Sequence, residues 1–66
     1  MKILVNGEEK DVADGILLSV LIEEIGISCA RAAVERNREI VPPEAYDKTP
    51  LHEGDRIEIV SFVGGG

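Results

Sequence analysis

The chain has 66 residues, of which 44% are hydrophobic and 30% are charged, a composition typical of one small globular domain and not of a disordered segment. Seven basic residues against 13 acidic residues give a net charge of −6, which argues against nucleic acid and anionic membranes as partners, because binding to either depends on Lys and Arg. The single cysteine, Cys29, and the single histidine, His52, allow no internal disulfide and no Cys/His metal cluster. We therefore expect no bound metal and no cofactor.

We recognise no targeting signal in the first residues of the sequence. Met1 leads directly into a strand-like segment, with neither a signal peptide nor an apolar run of membrane-spanning length. Together with the lone Cys29, this pattern favours a reducing, cytoplasmic setting.

The hydrophobic pattern predicts short strands around one helix. In chain order, we predict strands at 2–5 and 8–12, a helix at 16–25, strands at 32–36 and 39–41, a helical turn at 44–46 and a last strand at 56–63. Asn6-Gly7 is a strong hairpin signal, because both central positions of such a turn require positive φ. The second strand has only Val12 as a clearly apolar residue, so we expect it at an edge of the sheet.

The predicted helix carries one apolar stripe. Leu18, Leu21, Ile22 and Ile25 lie at i, i+3, i+4 and i+7, and Gly26 follows as a helix stop. Because so short a helix does not hold alone in water, the stripe must pack against a sheet. With the first and last strands parallel and adjacent in the middle, the elements predict an α+β fold. It is the β-grasp arrangement that ubiquitin also has, with one main helix on one face of a mixed sheet of four or five strands.

The last predicted strand has apolar residues on both faces. If Ile57 and Ile59 point at the helix, Val60 and Phe62 point away from it, and Leu4 on the first strand points the same way. An exposed apolar patch of this kind more often marks a partner surface than an accident. The predicted partner interface consists of Leu4, Glu58, Val60, Phe62 and Val63.

The sequence closes with three glycines, Gly64-Gly65-Gly66. They can add nothing to a core, and glycine permits backbone angles and close approaches that a Cβ forbids. Such a tail can thread a narrow channel into the active site of another protein and present a carboxylate there. We therefore predict a single domain at 1–63 and a flexible tail at 64–66.

Several stretches spread over the chain form a combination that is specific to one family. They are Val5-Asn6-Gly7-Glu8, Leu18-x-x-Leu21-Ile22-x-x-Ile25-Gly26, Ala33-Val34-Glu35-Arg36-Asn37-Arg38-Glu39-Ile40-Val41-Pro42, Leu51-x-x-Gly54-Asp55-x-Ile57-Glu58-Ile59-Val60 and Val63-Gly64-Gly65-Gly66. On these stretches the chain resembles the thiamine-biosynthesis sulfur carrier family, ThiS. Leu17 departs from the family pattern, which often has Thr there, and Asp14 could cap the helix instead. Pro43 stands where Arg is common.

The resemblance implies a mechanism centred on Gly66. An adenylating enzyme such as ThiF would join the Gly66 carboxylate to AMP, using ATP and Mg²⁺. Sulfur from a cysteine desulfurase relay, carried as a persulfide, would displace AMP and leave a thiocarboxylate, from which a ThiG-like thiazole synthase would take the sulfur. Gly66 would be the covalent carrier site, and Gly64 and Gly65 would thread into the partner. The chain itself would be no enzyme, and it lacks a phosphate-binding glycine loop.

The residues alone leave other functions open. A Gly-Gly end also fits sulfur carriers for molybdopterin or thiolated tRNA, and a plain β-grasp binding module would explain the fold and the patch without covalent chemistry. Among the other polar residues, we expect His52 to be a solvated loop residue and Cys29 a half-buried thiol with no role. Glu53 and Asp55 flank a tight turn and could also meet a basic partner.

Overall fold

Residues 1–62 are described by a computed structural model. The regular elements are β1 (Lys2–Val5), β2 (Glu8–Asp11), α1 (Leu18–Glu24), a 3₁₀ helix (Cys29–Arg31), β3 (Ala32–Arg36), β4 (Glu39–Val41), a second 3₁₀ helix (Pro43–Lys48) and β5 (Arg56–Ser61). The strands form one five-stranded sheet in the order β2-β1-β5-β3-β4. β1 and β5 are parallel, and every other neighbouring pair is antiparallel. This topology confirms the predicted α+β, β-grasp fold and places the charged β2 at an edge.

Both hairpins turn through two residues in the left-handed region. Asn6 and Gly7 have φ of 51° and 85°, and Asn37 and Arg38 have φ of 51° and 71°. Positive φ at both positions gives a turn whose twist matches that of the flanking strands. Asn and Gly adopt this region readily, whereas Arg38 adopts it at a small cost. The Asn-Gly turn prediction is confirmed.

The helix begins later than the sequence pattern predicts. Leu17 is extended, with φ −75° and ψ 146°, and forms an isolated β-bridge with Pro50, and Ile16 also lies outside the helix. The Leu51 N–H donates to the Ile16 carbonyl at 2.9 Å. Because the backbone before Leu18 is already bound to the 49–51 segment, α1 has only seven residues.

No side chain caps the start of α1. The suggestion that Asp14 serves as the cap is wrong, because its Oδ1 lies 3.2 Å from the amino-terminal ammonium of Met1. The same ammonium donates to the Val12 carbonyl at 2.7 Å. The stability of α1 must therefore come from packing.

Among residues 1–62, no helix has the length and apolar character needed to cross a bilayer.

The core lies between α1 and the sheet. Leu18, Leu21 and Ile22 are fully buried and Ile25 is partly buried, which confirms the predicted stripe. The hydroxyl of the buried Tyr46 donates to the Ala32 carbonyl at 2.7 Å, so its polar end is satisfied. The buried apolar residues are Ile3, Ile16, Leu18, Leu21, Ile22, Ala32, Val34, Tyr46, Leu51, Ile57 and Ile59.

β5 is the central strand and is bonded on both sides. On the β1 side, the Asn6 N–H, one residue beyond the end of β1, donates to the Ile57 carbonyl at 2.8 Å. On the β3 side, the Phe62 N–H donates to the Arg31 carbonyl at 2.7 Å, one residue beyond the end of β5. Val63, which was predicted as the end of this strand, and the tail predicted at 64–66 lie outside the described residues.

Candidate functional site

The face of the sheet opposite α1 carries a groove that runs across β5, β3 and β4. The register sets Glu58 opposite Glu35, and Glu35 opposite Ile40. In the next row Val60 lies opposite Ala33. Ala33 is the smallest of these side chains and lines the depression. We call this depression, with a volume of about 500 Å³, the sheet groove; it is lined by Ala32, Ala33, Val34, Glu35, Ile40, Val41, Pro43, Tyr46, Glu58, Val60 and Phe62.

Exposed apolar side chains concentrate at the sheet groove. Ile40 is 80% exposed, Val60 60% and Phe62 59%. The other exposed large apolar residues of the described chain, Leu17 at 36% and Val20 at 40%, do not line the groove and are more covered. Three strongly exposed apolar side chains around one depression are typical of a partner-binding surface.

The structure brings together Glu58, Val60 and Phe62 of the predicted interface, but not Leu4. The register sets Leu4 between Glu9 of β2 and Arg56 of β5, and Leu4 is half-buried and outside the groove. Leu4 faces the same side as Val60, as predicted, but it does not share the groove with Val60, and its place in a partner interface stays a prediction. Val63, Gly64, Gly65 and Gly66 lie outside the described residues.

Ile40 belongs to the groove but was absent from the predicted interface. Its signal was present in the sequence, because side chains alternate along a strand. Val41 pairs with the buried Val34 and is half-buried, so Ile40, one residue earlier, must face away from the core. The sequence pattern did not reveal that β4 lies close enough to Val60 to share a surface with it.

The Asn6 side chain extends the sheet beyond the end of β1. Its Oδ1 accepts from the Ile59 N–H at 2.9 Å, and its Nδ2 donates to the Ile59 carbonyl at 3.2 Å. Asn6 thus makes the two bonds that a further β1 residue would make, although the chain has already turned away at Gly7. Because Phe62 is bonded to Arg31 on the other side, β5 is held up to the last described residue.

Asp55 is buried at the turn that leads into β5, with 7% exposure. Its carboxylate accepts from the His52 N–H at 2.8 Å, from Arg36 Nε at 3.0 Å and from Asn37 Nδ2 at 3.1 Å. Glu53 is also used within the chain, since its Oε1 accepts from the Lys2 N–H at 3.0 Å. Asp55 therefore supports the turn and is not free for the basic partner that the sequence suggested.

The Asp55 contacts predict an acid-sensitive fold. Burial alone would raise the pKa of Asp55, but the bonds from His52 and Asn37 and the charge of Arg36 lower it below its ordinary value of 3.8. A depressed pKa means that the unfolded chain binds the proton more strongly. The Asp55 contribution is therefore full above pH 3.8 and is lost as the pH falls through the lower, folded-state pKa. Urea unfolding at a series of pH values should show a steeper acid loss in wild type than in Asp55→Asn. Equal slopes would contradict this assignment.

Neither Cys29 nor His52 has a setting for chemistry. Cys29 is half-buried and its thiol donates to the Ser19 carbonyl at 3.6 Å. Burial, followed by the charges of Glu23 and Asp47, raises the pKa of the thiol, which disfavours the reactive thiolate. His52 is an exposed loop residue. Among the described residues, no three His, Cys, Asp or Glu side chains are grouped as metal ligands would be.

Comparison with known proteins identifies the family. The model of the ThiS family matches residues 3–66. A thiazole synthase from Paramagnetospirillum magneticum is 42% identical over the whole chain, which spans only 20% of that protein. The sulfur carrier protein ThiS of Escherichia coli is 32% identical over the full length of both chains. The crystal structure of the thiamine biosynthesis protein ThiS from Geobacter metallireducens superposes with a TM-score of 0.83 and 32% identity, and each chain is covered completely. The chain therefore belongs to the ThiS family, a family of sulfur carrier proteins.

Proposed function

We propose that this chain carries sulfur for the thiazole ring of thiamine as a thiocarboxylate on Gly66. The observation that carries the proposal is the family match, which extends through residue 66 and includes relatives named as sulfur carriers. The chain supplies the carboxylate that carries the sulfur and the surface that its partners recognise, while the catalytic groups belong to those partners.

The chemistry needs an activated carboxylate, because the oxygen of a free carboxylate is a poor leaving group. A ThiF-like adenylating enzyme, using ATP and Mg²⁺, converts the Gly66 carboxylate to an acyl adenylate and releases pyrophosphate. Sulfur from a cysteine desulfurase relay then attacks the acyl carbon, and AMP leaves. When the sulfur arrives as a persulfide, a thiol must also cleave the resulting S–S bond to free the thiocarboxylate.

The described part of the chain is suited to presenting such a group. β5 is the central strand and is hydrogen-bonded as far as Ile59 on the β1 side, by Asn6, and as far as Phe62 on the β3 side, so a well-supported strand lies next to the predicted tail. The exposed side chains of Val60 and Phe62 stand at that same end of β5. We propose that a partner docks on the sheet groove and receives Gly64, Gly65 and Gly66, with Val63 at the edge of the interface.

The relatives favour thiamine over the other pathways. A segment similar to the whole of this chain occurs within a longer thiazole synthase, which would place a carrier and the enzyme that consumes its sulfur in one polypeptide. We propose a ThiG-like thiazole synthase as the acceptor on this basis. The reaction belongs in the cytoplasm, where reducing conditions preserve thiols and persulfides.

The proposal is tested by weighing the protein after reaction. Incubated with a ThiF-like enzyme of the same organism, ATP, Mg²⁺ and sulfide, the intact chain should gain the mass difference of one oxygen-to-sulfur exchange. The gene should also restore growth of a thiamine-requiring strain that lacks its sulfur carrier. An unchanged mass beside an active enzyme would refute the carrier role. A changed mass without rescue would move the carrier to another pathway.

A further inference from the structure

Two carboxylates face each other across the sheet groove. Glu35 on β3 and Glu58 on β5 are register partners. Both are exposed and lie on the face opposite α1, because their neighbours Val34, Ile57 and Ile59 are buried. Side chains in such a pair start about 5 Å apart at Cβ. Two acidic residues therefore occupy directly opposite positions on this face, in the middle of the sheet.

We expect Glu35 and Glu58 to lower the stability of the protein when no partner is bound. Like charges directly opposite each other on neighbouring strands are destabilising. The ion pairs within 4.0 Å among residues 1–62 are Met1–Asp14 and Arg36–Asp55, so neither Glu35 nor Glu58 has such a partner there. Arg56 shares the face with Glu58, two residues earlier on β5, but it makes no such ion pair with either glutamate.

Apolar groups border the acidic pair. Ile40 lies beside Glu35 on the β4 side, and Val60 and Ala33 form the next row toward the end of β5. A cation placed between the carboxylates would thus be flanked by Ile40 at 80% exposure and Val60 at 60% exposure. A planar guanidinium suits this place better than an ammonium, because its fork of donors can serve two carboxylates while its faces lie on apolar surface.

We propose that the adenylating partner inserts an arginine side chain between Glu35 and Glu58 when it docks on the sheet groove. The inference rests on the proposed carrier function and adds the feature that selects the partner. Apolar contacts at Ile40, Val60 and Phe62 hold the docked surfaces together. The acidic pair rejects a surface without a cation in the matching place, because two desolvated carboxylates would then be left uncompensated.

The test removes both charges and compares the result with an equal change elsewhere. The variant is Glu35→Gln with Glu58→Gln, and the matched control is Glu23→Gln with Glu24→Gln. The control also removes two exposed adjacent charges, but from the end of α1 and outside the groove. The readout is ATP–pyrophosphate exchange by the ThiF-like enzyme with the carrier as substrate, at low and at high NaCl.

We expect the groove variant to raise KM for the carrier about tenfold at low salt with kcat unchanged. Its KM should also depend less on salt than that of wild type, because screening acts on the charge pairing that the variant lacks. The control should keep KM within about twofold of wild type and keep most of the salt dependence. Thermal midpoints of all samples should show that the groove variant is at least as stable as wild type, since it loses the repulsion.

The outcomes separate this inference from the function on which it rests. If wild type supports exchange and the groove variant has the KM and salt dependence of the control, the arginine contact is refuted and the carrier function stands. If wild type supports no exchange with an active enzyme, the proposed function is refuted and this inference falls with it.

Discussion

Removal of Gly66 should abolish thiocarboxylate formation and leave the fold unchanged. The shortened chain still ends in a carboxylate, but one residue short of the place where the adenylating enzyme holds ATP, and reacting atoms must meet within about 3–3.5 Å. Gly66 has no side chain to pack, and the core of the described residues stays intact without it, so the free energy of unfolding should not change. The measurements are intact mass after reaction with enzyme, ATP and sulfide, and urea unfolding of the same sample.

Gly66→Ala is the matched control for the deletion. It keeps the carboxylate at position 66 and adds one Cβ, so it separates the position of the reacting group from the width of the channel that receives it. Loss of sulfur transfer in both variants would indicate a channel that admits only glycine. Sulfur transfer at the wild-type rate to the chain that ends at Gly65 would contradict the assignment of Gly66 as the carrier site.

Local pattern was sufficient for most elements of the fold. The stripe of Leu18, Leu21 and Ile22 predicts which side of α1 is buried, and the alternation of Ile57 and Ile59 with Glu58 and Val60 predicts the two faces of β5. These features follow from helix and strand periodicity, which depends on near neighbours in the sequence. The Asn6-Gly7 turn is local for the same reason. For these residues the structure and the prediction agree.

The errors occur where a residue depends on partners far along the chain. Ile16 and Leu17 continue the helical pattern but lie outside α1, because the Ile16 carbonyl and the Leu18 N–H are hydrogen-bonded to the 49–51 segment. Leu4 has the alternation of an exposed residue, yet it is half-buried between its register partners Glu9 and Arg56. The burial of a strand residue depends on which strands lie beside it, and a single sequence does not contain that information.

In the candidate site, too, features that depend on near neighbours could be predicted, and features that depend on residues distant in sequence could not. Val60 and Phe62 could be assigned from one strand, whereas the opposition of Glu35 and Glu58 requires the register of two strands. The two bonds from Asn6 to Ile59 span 53 positions of sequence. An Asn-Gly pair already has a complete explanation as a turn, so nothing in the pattern called for a second role. Sequence reasoning could find the residues that face outward but not the arrangement they make together.

Truncation of Phe62 should weaken partner binding without weakening the fold. Its side chain is 59% exposed, and the hydrogen bond it makes to the Arg31 carbonyl comes from the backbone N–H, which Phe62→Ala retains. Aromatic residues at the centre of an interface often contribute 2 kcal/mol or more on truncation. We therefore expect KM for the carrier in the adenylation assay to rise about 30-fold, with an unchanged urea midpoint.

Two further alanine variants show whether the effect of Phe62→Ala is specific to the sheet groove and how far the docked surface extends. Leu17→Ala, at 36% exposure and outside the sheet groove, is the control for loss of an exposed apolar side chain, and its KM should stay near that of wild type. Ile40→Ala should raise KM severalfold if the docked surface reaches across β3 to β4.

If Phe62→Ala and Leu17→Ala have the same KM, the partner does not bind the sheet groove. Recognition would then depend on the glycine tail, and the exposed apolar cluster would need another explanation. A rise for Phe62→Ala alone would confine docking to the end of β5, whereas a rise for both Phe62→Ala and Ile40→Ala would assign the whole sheet groove to the partner.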